Sequence, residues 1–396
     1  VSAPASTPIA DDIAARTDAY FTRTRDIVAK FGDVTVTYAI FLRRPVISAP
    51  RIMLDWLQAV AQERGFALDL HVTHPEGAWV GAGEPLVYIT GSFQQLAMCE
   101  TVFLQKIGPA CVAAHNAYQM SLALPKVGFL AMDARHCAGA EMQILMGYAA
   151  SVGSAAAKRE GAIGFLGTAT NITAPFFGQS QGAGTMPHAL IGYAGSTVRA
   201  AEMFVETFPE QNLTALTDYF GREVTDALAV CRRFPDLVQA GRVSIRLDTH
   251  GGRFLEGLDP AASYALLERY APGAIRRYRS ETELRYLVGT GVSAAAIWRM
   301  REALDEAGFA KVKIIVSSGF GVEKCLTMAD AHAPIDLVGT GSYIPDSWSE
   351  TYATADIVEY DGRPQVKIGR EFLLRHNGER KAGQNGAAVD KGKPAA

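Results

Sequence analysis

Cysteine is scarce in this chain: five in 396 residues, at Cys99, Cys111, Cys137, Cys231 and Cys325. They are widely spaced, form no CxxC and sit in no Cys/His pattern of metal-ligand spacing, which excludes a disulfide scaffold and a zinc module. A reduced, cytosolic protein is the simple expectation. A basic surplus is missing too. The net charge is −3 and the pI about 6.3, so the basic stripe that nucleic-acid binding needs is not there. No apolar stretch reads as long enough for a transmembrane helix, and Val1 to Asp12 lack the basic and apolar regions of a signal peptide. No repeat of fixed period occurs. Residues 377–396, rich in Gly, Lys and Ala without aromatics, read as a disordered tail.

What the sequence does contain is a recurring unit. Five short apolar runs each end in a cluster of Gly, Ser, Thr and Asp. Phe165-Leu166 leads into Gly167–Asn171, and Leu213–Leu216 into Thr217–Gly221. Val243–Leu247 leads into Asp248–Gly252, Val312–Val316 into Ser317–Gly321, and Ile335–Val338 into Gly339–Ser342. Each run has the length of a buried parallel strand, and most are followed by a helical pattern. Helices are expected at 140–159, 188–207, 222–231, 261–268, 294–307 and 321–331. The alternation predicts a parallel sheet with right-handed crossovers, and ligands of such sheets bind at the carboxyl ends of the strands. Turns rich in backbone N–H and hydroxyls suit a phosphorylated substrate.

Before this region the pattern differs. A helix is expected over 9–30, a strand at Val34–Leu42, a helix at Ile52–Arg64 and short antiparallel strands from Ala67 to Gly91. A long helix follows from Phe93 to Leu122, with a break or kink expected at Gly108-Pro109. After Thr351 a hairpin around Asp361-Gly362 is expected, able to rejoin the amino-terminal sheet. The pattern thus separates an amino-terminal region of mixed helices and strands, 1–125, which 346–376 could rejoin, from a region of alternating strands and helices, 126–345; the family resemblance given below implies that these are an α+β domain and an α/β barrel domain.

Candidate residues cluster at the strand ends. His188, in GTMPHA, falls in the first turn of a helix after Pro187. A helix amino terminus attracts anions and lowers a histidine's pKa, so His188 reads as a neutral nucleophile, a phosphate contact or a plain helix cap. Arg246 and Asp248, at i and i+2, share one face: a phosphate or carboxylate partner beside a ligand for sugar hydroxyls or magnesium, or else a local ion pair. Asp218 reads as a histidine-orienting carboxylate, a hydroxyl or magnesium ligand, or an Asx-turn. SSGFG and GTGS read as phosphate cradles or as ordinary tight turns. Arg135-His136 reads as an anion contact or a solvated pair, and Tyr20 as a stacking or packing aromatic. No lysine sits at the strand ends, so a Schiff-base mechanism has no candidate.

In order, TDAYF, VTYAIFLRRP, PEGAWVGAGEPL, ARHCAG, GFLGTATN, GTMPHAL, LTDYFG, SIRLDTHGG, VSSGFG and DLVGTGSY resemble the nicotinate phosphoribosyltransferases of the type II phosphoribosyltransferase family, from Thr17 to about Phe372. The resemblance implies an irregular α/β barrel joined to a smaller α+β domain built from both chain ends. It implies a homodimer with shared active sites, Tyr20 reaching the partner's pocket. The implied reaction joins nicotinate to 5-phosphoribosyl-1-pyrophosphate (PRPP), giving nicotinate mononucleotide and pyrophosphate. ATP is a co-substrate through a phosphohistidine, which His188 matches, and Mg2+ rides on the phosphorylated substrates rather than in a protein cage. Asp218 would orient His188, Arg246 contact the nucleotide, and Asp248 the ribose hydroxyls. Ser318, Gly319, Gly321, Gly339, Thr340, Gly341 and Ser342 would hold the 5′-phosphate, while Arg135, Thr168 and Thr185 line the substrate site. The chain departs from the family at Met132-Asp133, where Phe-Gly is usual, at His136, where a second Arg is usual, and at GTATN in place of GTSN. The absence of an Asp near Ala169 favours the acid over nicotinamide. The alternatives are quinolinate or nicotinamide as substrate, and a non-catalytic, nucleotide-binding paralogue.

Overall fold

The computed structural model describes residues 9–184, 186–346 and 353–375. In chain order the strands are β1 (Thr35–Phe41), β2 (Val46–Ile47), β3 (Leu68–Val72), β4 (Trp79–Val80), β5 (Pro85–Ser92), β6 (Gly128–Ala131), β7 (Gly164–Thr168), β8 (Leu213–Leu216), β9 (Val243–Leu247), β10 (Lys313–Val316), β11 (Leu337–Thr340), β12 (Thr354–Tyr360) and β13 (Arg363–Pro364). The chain divides into two compact units, Val1–His115 with Ser347–Ala396, and Asn116–Asp346.

The second unit carries the alternating pattern. Its six strands are all parallel, in the order β7-β6-β11-β10-β9-β8. Read around a circle this is simply sequence order: the first strand, β6, pairs with the last, β11, as a closing barrel requires. Among the described residues no ladder joins β7 to β8, so the barrel has one open seam. The strands are short and almost wholly buried, with Phe129, Phe165, Ile245, Ile314 and Val338 at or near zero exposure. That is the burial expected where helices cover a parallel sheet.

Ladder register then decides what meets at the strand ends. Leu216 pairs with Arg246, Val316 with Leu247, and Val316 with Val338. Continued past the strand ends, those registers bring Asp218, Asp248, Ser317 and Gly339 level with one another.

The first unit holds a five-stranded antiparallel sheet, β13-β12-β1-β5-β3. β1 is buried along all but its first residue and lies between β5 and β12, so both chain ends build this sheet. Asp361 and Gly362 both have positive φ, 46° and 72°, the backbone of a tight hairpin turn, and β12 rejoins β1 as the sequence suggested. β13 is only two residues long, and residues 371–374 form a 3-10 turn rather than strand.

Other elements depart from expectation. The single helix expected over 9–30 is two, Ile9–Arg16 and Ala19–Phe31. The Thr17 hydroxyl caps the break by donating to the carbonyls of Ile13 and Met98. The helix over 188–207 is likewise two, because Gly195 ends the first in the left-handed conformation and Ser196 caps the second through the Arg199 N–H. Phe93–Ala123 runs unbroken through Pro109. A proline inside a helix costs about 3 kcal/mol, and burial of Ile107, Ala110, Cys111, Val112 and Ala113 around it offsets that cost. By length and hydropathy, contrary to the sequence reading, this helix is long and apolar enough to cross a membrane, but 67% of its apolar window is buried inside the protein, as in a core helix. Short helices at Pro235–Gln239, Pro272–Ile275 and Glu281–Val288 lack any counterpart in the expectations. The cysteines are free thiols. The segment 377–396 lies outside the described residues.

Candidate active site

The level strand ends enclose a cavity of about 460 Å³ within the second unit. Of the residues singled out from sequence, Arg135, His188, Asp218, Arg246, Asp248, Ser318, Gly319, Gly339, Gly341 and Ser342 line it. Gly321, Thr340 and Thr168, of the same unit, are not among its lining residues. Gly321 lines an adjoining smaller cavity. Thr340 is buried and its hydroxyl donates to the Phe320 carbonyl. Thr168 is 2% exposed and shares a hydrogen bond with the Thr173 hydroxyl. Tyr20 belongs to the first unit, on Ala19–Phe31, and is 59% exposed with its ring tilted on Phe21. Thr185 lies outside the described residues.

Three polar constellations face the cavity. In the first, His188 opens the helix His188–Ala194, with Pro187 as its N-cap, and its Nε2 lies 3.0 Å and 3.2 Å from the two carboxylate oxygens of Asp218. The Asp218 side chain is 9% exposed and that of His188 46%, so a sheltered carboxylate holds an accessible imidazole. With Nε2 engaged, Nδ1 is the ring nitrogen left for chemistry.

In the second, Arg246 Nη2 donates to Asp248 Oδ2 at 3.0 Å and its Nε donates to the Ser317 hydroxyl at 2.9 Å, which in turn donates to Asp248 Oδ1 at 2.8 Å. This closed ring of bonds fixes both charged groups. Ser317, read in the sequence only as part of a phosphate cradle or tight turn, is set beside Asp248 by the β9–β10 register.

The third is a row of free amides. Among the described residues the backbone N–H groups of Ser318, Gly319, Phe320 and Gly321 donate to no acceptor. Ser318 and Gly319 both have positive φ, 77° and 68°, and Gly321 is the N-cap of Val322–Asp330 with no side chain capping it. Successive free amides at a helix amino terminus make an anion cradle. Packing also demands glycine on the opposite side of the cavity. A Cβ on Gly339 would lie 2.9 Å from the Met132 sulfur, and one on Gly341 2.7 Å from the Met132 carbonyl and 2.8 Å from the His136 ring. They are small because Met132 and His136 pack on them.

Beneath the site lies an ion pair invisible in the sequence. Glu223, fully buried, meets Arg253 at 2.5 Å and accepts from the Thr249 hydroxyl at 3.0 Å, while Arg253 also donates to the Asp218 carbonyl at 2.9 Å. The backbones of Asp218 and of the turn after β9 are thus tied to one buried charge.

The cavity is rich in cationic and imidazole groups, Arg135, His136, His188, Arg246 and His250, against the carboxylates of Asp218 and Asp248.

No family model matches the chain, and no curated protein matches it. Solved structures do. Nicotinate-nucleotide pyrophosphorylase from Pyrococcus furiosus superposes with a TM-score of 0.68 at 24% identity, over 93% of this chain and 81% of that one. The two chains share a fold. Human nicotinic acid phosphoribosyltransferase gives a TM-score of 0.57 at 16% identity, over 88% of this chain and 75% of that one. NadC from Streptococcus pyogenes gives 0.54 at 13%, over 92% and 100%. At these identities the likeness speaks for the fold, a parallel six-stranded unit with a separate antiparallel-sheet unit.

Proposed function

We propose that the chain is a phosphoribosyltransferase of pyridine nucleotide metabolism, joining nicotinate to PRPP with release of pyrophosphate, and coupled to ATP through phosphorylation of His188. The observation that carries the reading is that a carboxylate-held histidine, the free amides of Ser318 and Gly319 and the Arg246–Ser317–Asp248 ring line one cavity, with the free amides of Phe320 and Gly321 on the adjoining one. Loss of pyrophosphate breaks the C1–O bond of the ribose and leaves oxocarbenium character there, as in glycoside cleavage. The new C1–N bond forms from the pyridine nitrogen's own lone pair, so no base is needed. Catalysis is positioning and charge stabilisation. The free amides of Ser318–Gly321, with Ser342, take the 5′-phosphate. Asp248 takes the ribose hydroxyls, Arg246 an anionic oxygen, and Arg135 the ring carboxylate. The Nδ1 lone pair of His188 attacks the γ-phosphorus of ATP, ADP leaves, and water later hydrolyses the N–P bond. Asp218 stabilises the imidazolium character that develops. Magnesium arrives on the phosphorylated substrates. A cytosolic enzyme working as a homodimer, with Tyr20 in the partner's pocket, completes the proposal.

A second reading within the same chemistry rests on the extra imidazole of His136 beside Arg135, which suits a pyridine bearing two carboxylates, quinolinate, as well as one bearing a single carboxylate. Product formation by the purified protein tests both. Nicotinate, quinolinate and nicotinamide are each supplied with PRPP and magnesium, with and without ATP. Nicotinate mononucleotide from nicotinate, accelerated by ATP, is the expected result. Carbon dioxide release from quinolinate alone would move the assignment to the second reading, and tight donor binding without turnover of any base would make the protein a non-catalytic binder.

A further inference from the structure

Lys324 stands in the helix that follows the turn after β10, a lysine close to that turn which the sequence pattern concealed. It lies in the first turn of Val322–Asp330 and is 6% exposed. Its ammonium donates to the Ser318 carbonyl at 2.8 Å and lies 4.2 Å from the centre of the Phe320 ring and 5.7 Å from that of Tyr286. It borders two small cavities, of about 330 and 230 Å³, and both share Gly319 with the central cavity.

Ser318 is a non-glycine residue at φ 77°, a conformation that surrounding structure must hold in place. All described peptide bonds are trans, and in a trans peptide the C=O and the following N–H point in opposite directions. An ammonium that fixes the Ser318 carbonyl therefore also aims the Gly319 N–H away from itself. We propose that Lys324 is the positioning residue of the anion cradle: by anchoring the Ser318 carbonyl it turns the Gly319 amide toward the central cavity. The inference rests on the reading that this cradle takes a phosphate.

The charged and titratable groups around Lys324 are Asp248, Arg285, Tyr286, Glu323, Cys325, Tyr343 and Asp346. Burial brings Lys324 down from 10.5 to about 8. It pushes the Cys325 thiol up to about 12 and raises the phenols of Tyr286 and Tyr343 above their ordinary value, while arginine keeps its proton. As pH rises, Lys324 is thus the first of the nearby donors to lose charge.

The test is calorimetric titration of the full chain with ribose 5-phosphate at pH 7 and pH 9. Across that range the phosphate stays dianionic, because its second pKa is about 6. The wild type should lose up to about tenfold in affinity between the two pH values, as Lys324 passes from mostly charged to mostly neutral. Lys324→Met should bind weakly at both, and Lys324→Arg should recover the affinity and lose the pH dependence. Should Lys324→Met fail to fold, the wild-type pH profile and the Arg variant decide. Wild-type binding that ignores pH, or a folded Lys324→Met that binds like the wild type, overturns the role of Lys324 alone. A wild type that binds no ribose 5-phosphate at either pH overturns the cradle, and the proposed function with it.

Discussion

Asp218 holds His188 by its Nε2, 3.0 Å away, and leaves Nδ1 as the ring nitrogen not engaged by it. Under the proposed function, one ring nitrogen is the nucleophile and the other is anchored. His188→Ala should therefore abolish the ATP-dependent acceleration while leaving a basal rate of phosphoribosyl transfer. Asp218→Asn should slow phosphorylation of His188 by about 10²–10⁴-fold, the usual worth of a general acid–base partner. Phosphohistidine formation from radiolabelled ATP, measured beside transfer, checks both, and unchanged ATP stoichiometry in His188→Ala sinks the assignment.

The ring of Arg246, Ser317 and Asp248 makes a second prediction. Asp248→Ala should damage transfer equally with and without ATP, because it acts on the ribose rather than on the histidine. Ser317→Ala removes one hydroxyl that serves two charged groups. Hydrogen bonds to charged groups are worth about 1.5–3 kcal/mol, so its kcat/KM should fall by about ten- to a hundredfold. Steady-state kinetics with varied donor concentration measures both effects, and normal turnover in Asp248→Ala removes that residue from the site.

The buried Glu223–Arg253 pair should matter more for stability than for chemistry. Removing one partner of a buried pair strands the other, at about 3–5 kcal/mol. Arg253 is 34% exposed and can be rehydrated, so Glu223→Ala should cost toward the lower end, about 3 kcal/mol. Arg253→Ala leaves a fully buried carboxylate uncompensated and should cost more. Denaturant unfolding of the two variants gives the order, and the reverse ranking would contradict it.

Glu100, in the other unit, gives a pH signature. Burial pushes its carboxyl up from 4.5 to about 7, with Asp356 and Asp18 adding to the rise against the opposing hydrogen bond with Tyr38. Its folded pKa is above its unfolded one, so the folded state binds more protons between pH 4.5 and 7. This residue's contribution to stability is therefore full below about 4.5 and is lost as pH rises to about 7. Glu100→Gln should flatten that slope and be the more stable protein above pH 7, by on the order of 1–3 kcal/mol. Thermal denaturation across pH 4.5–8 in both proteins measures it, and parallel slopes would exclude Glu100 as the source.

The strand–turn rhythm from Gly164 to Ser342 was legible because each strand is a short apolar run closed by small polar residues, and residues two apart on a strand end, such as Arg246 and Asp248, must share a face. What sequence could not supply was register. Ser317 looked like any turn serine until the β9–β10 ladder set it level with Asp248. Glu223 and Arg253 are charged residues 30 positions apart with nothing local to mark them as a buried pair. Lys324 was hidden by its helical context, since its side chain turns back over the preceding loop. Helix ends were misread where a single small residue, Gly195 or Thr17, outweighed a long periodic pattern. Pro109 erred the other way, a breaker overruled by packing.

The open seam between β7 and β8 divides the cavity by mechanical character. Asp248, Ser317 and the free amides stand on β9 and β10, each of which is bonded to neighbours on both sides. Among the described residues, the stretch from β7 to Gly184 is held by separate bonds, from the Ala183 N–H to the Thr168 carbonyl, from Gln179 to the Leu166 carbonyl and from the Gly182 N–H to the Asn171 side chain. Opening that segment breaks a few separate bonds and no ladder. Under the proposed function, the phosphorylated histidine would stand beside the seam and the sugar phosphate on the fully bonded side, so the two halves of the cavity would differ in how much local structure must break for either to yield.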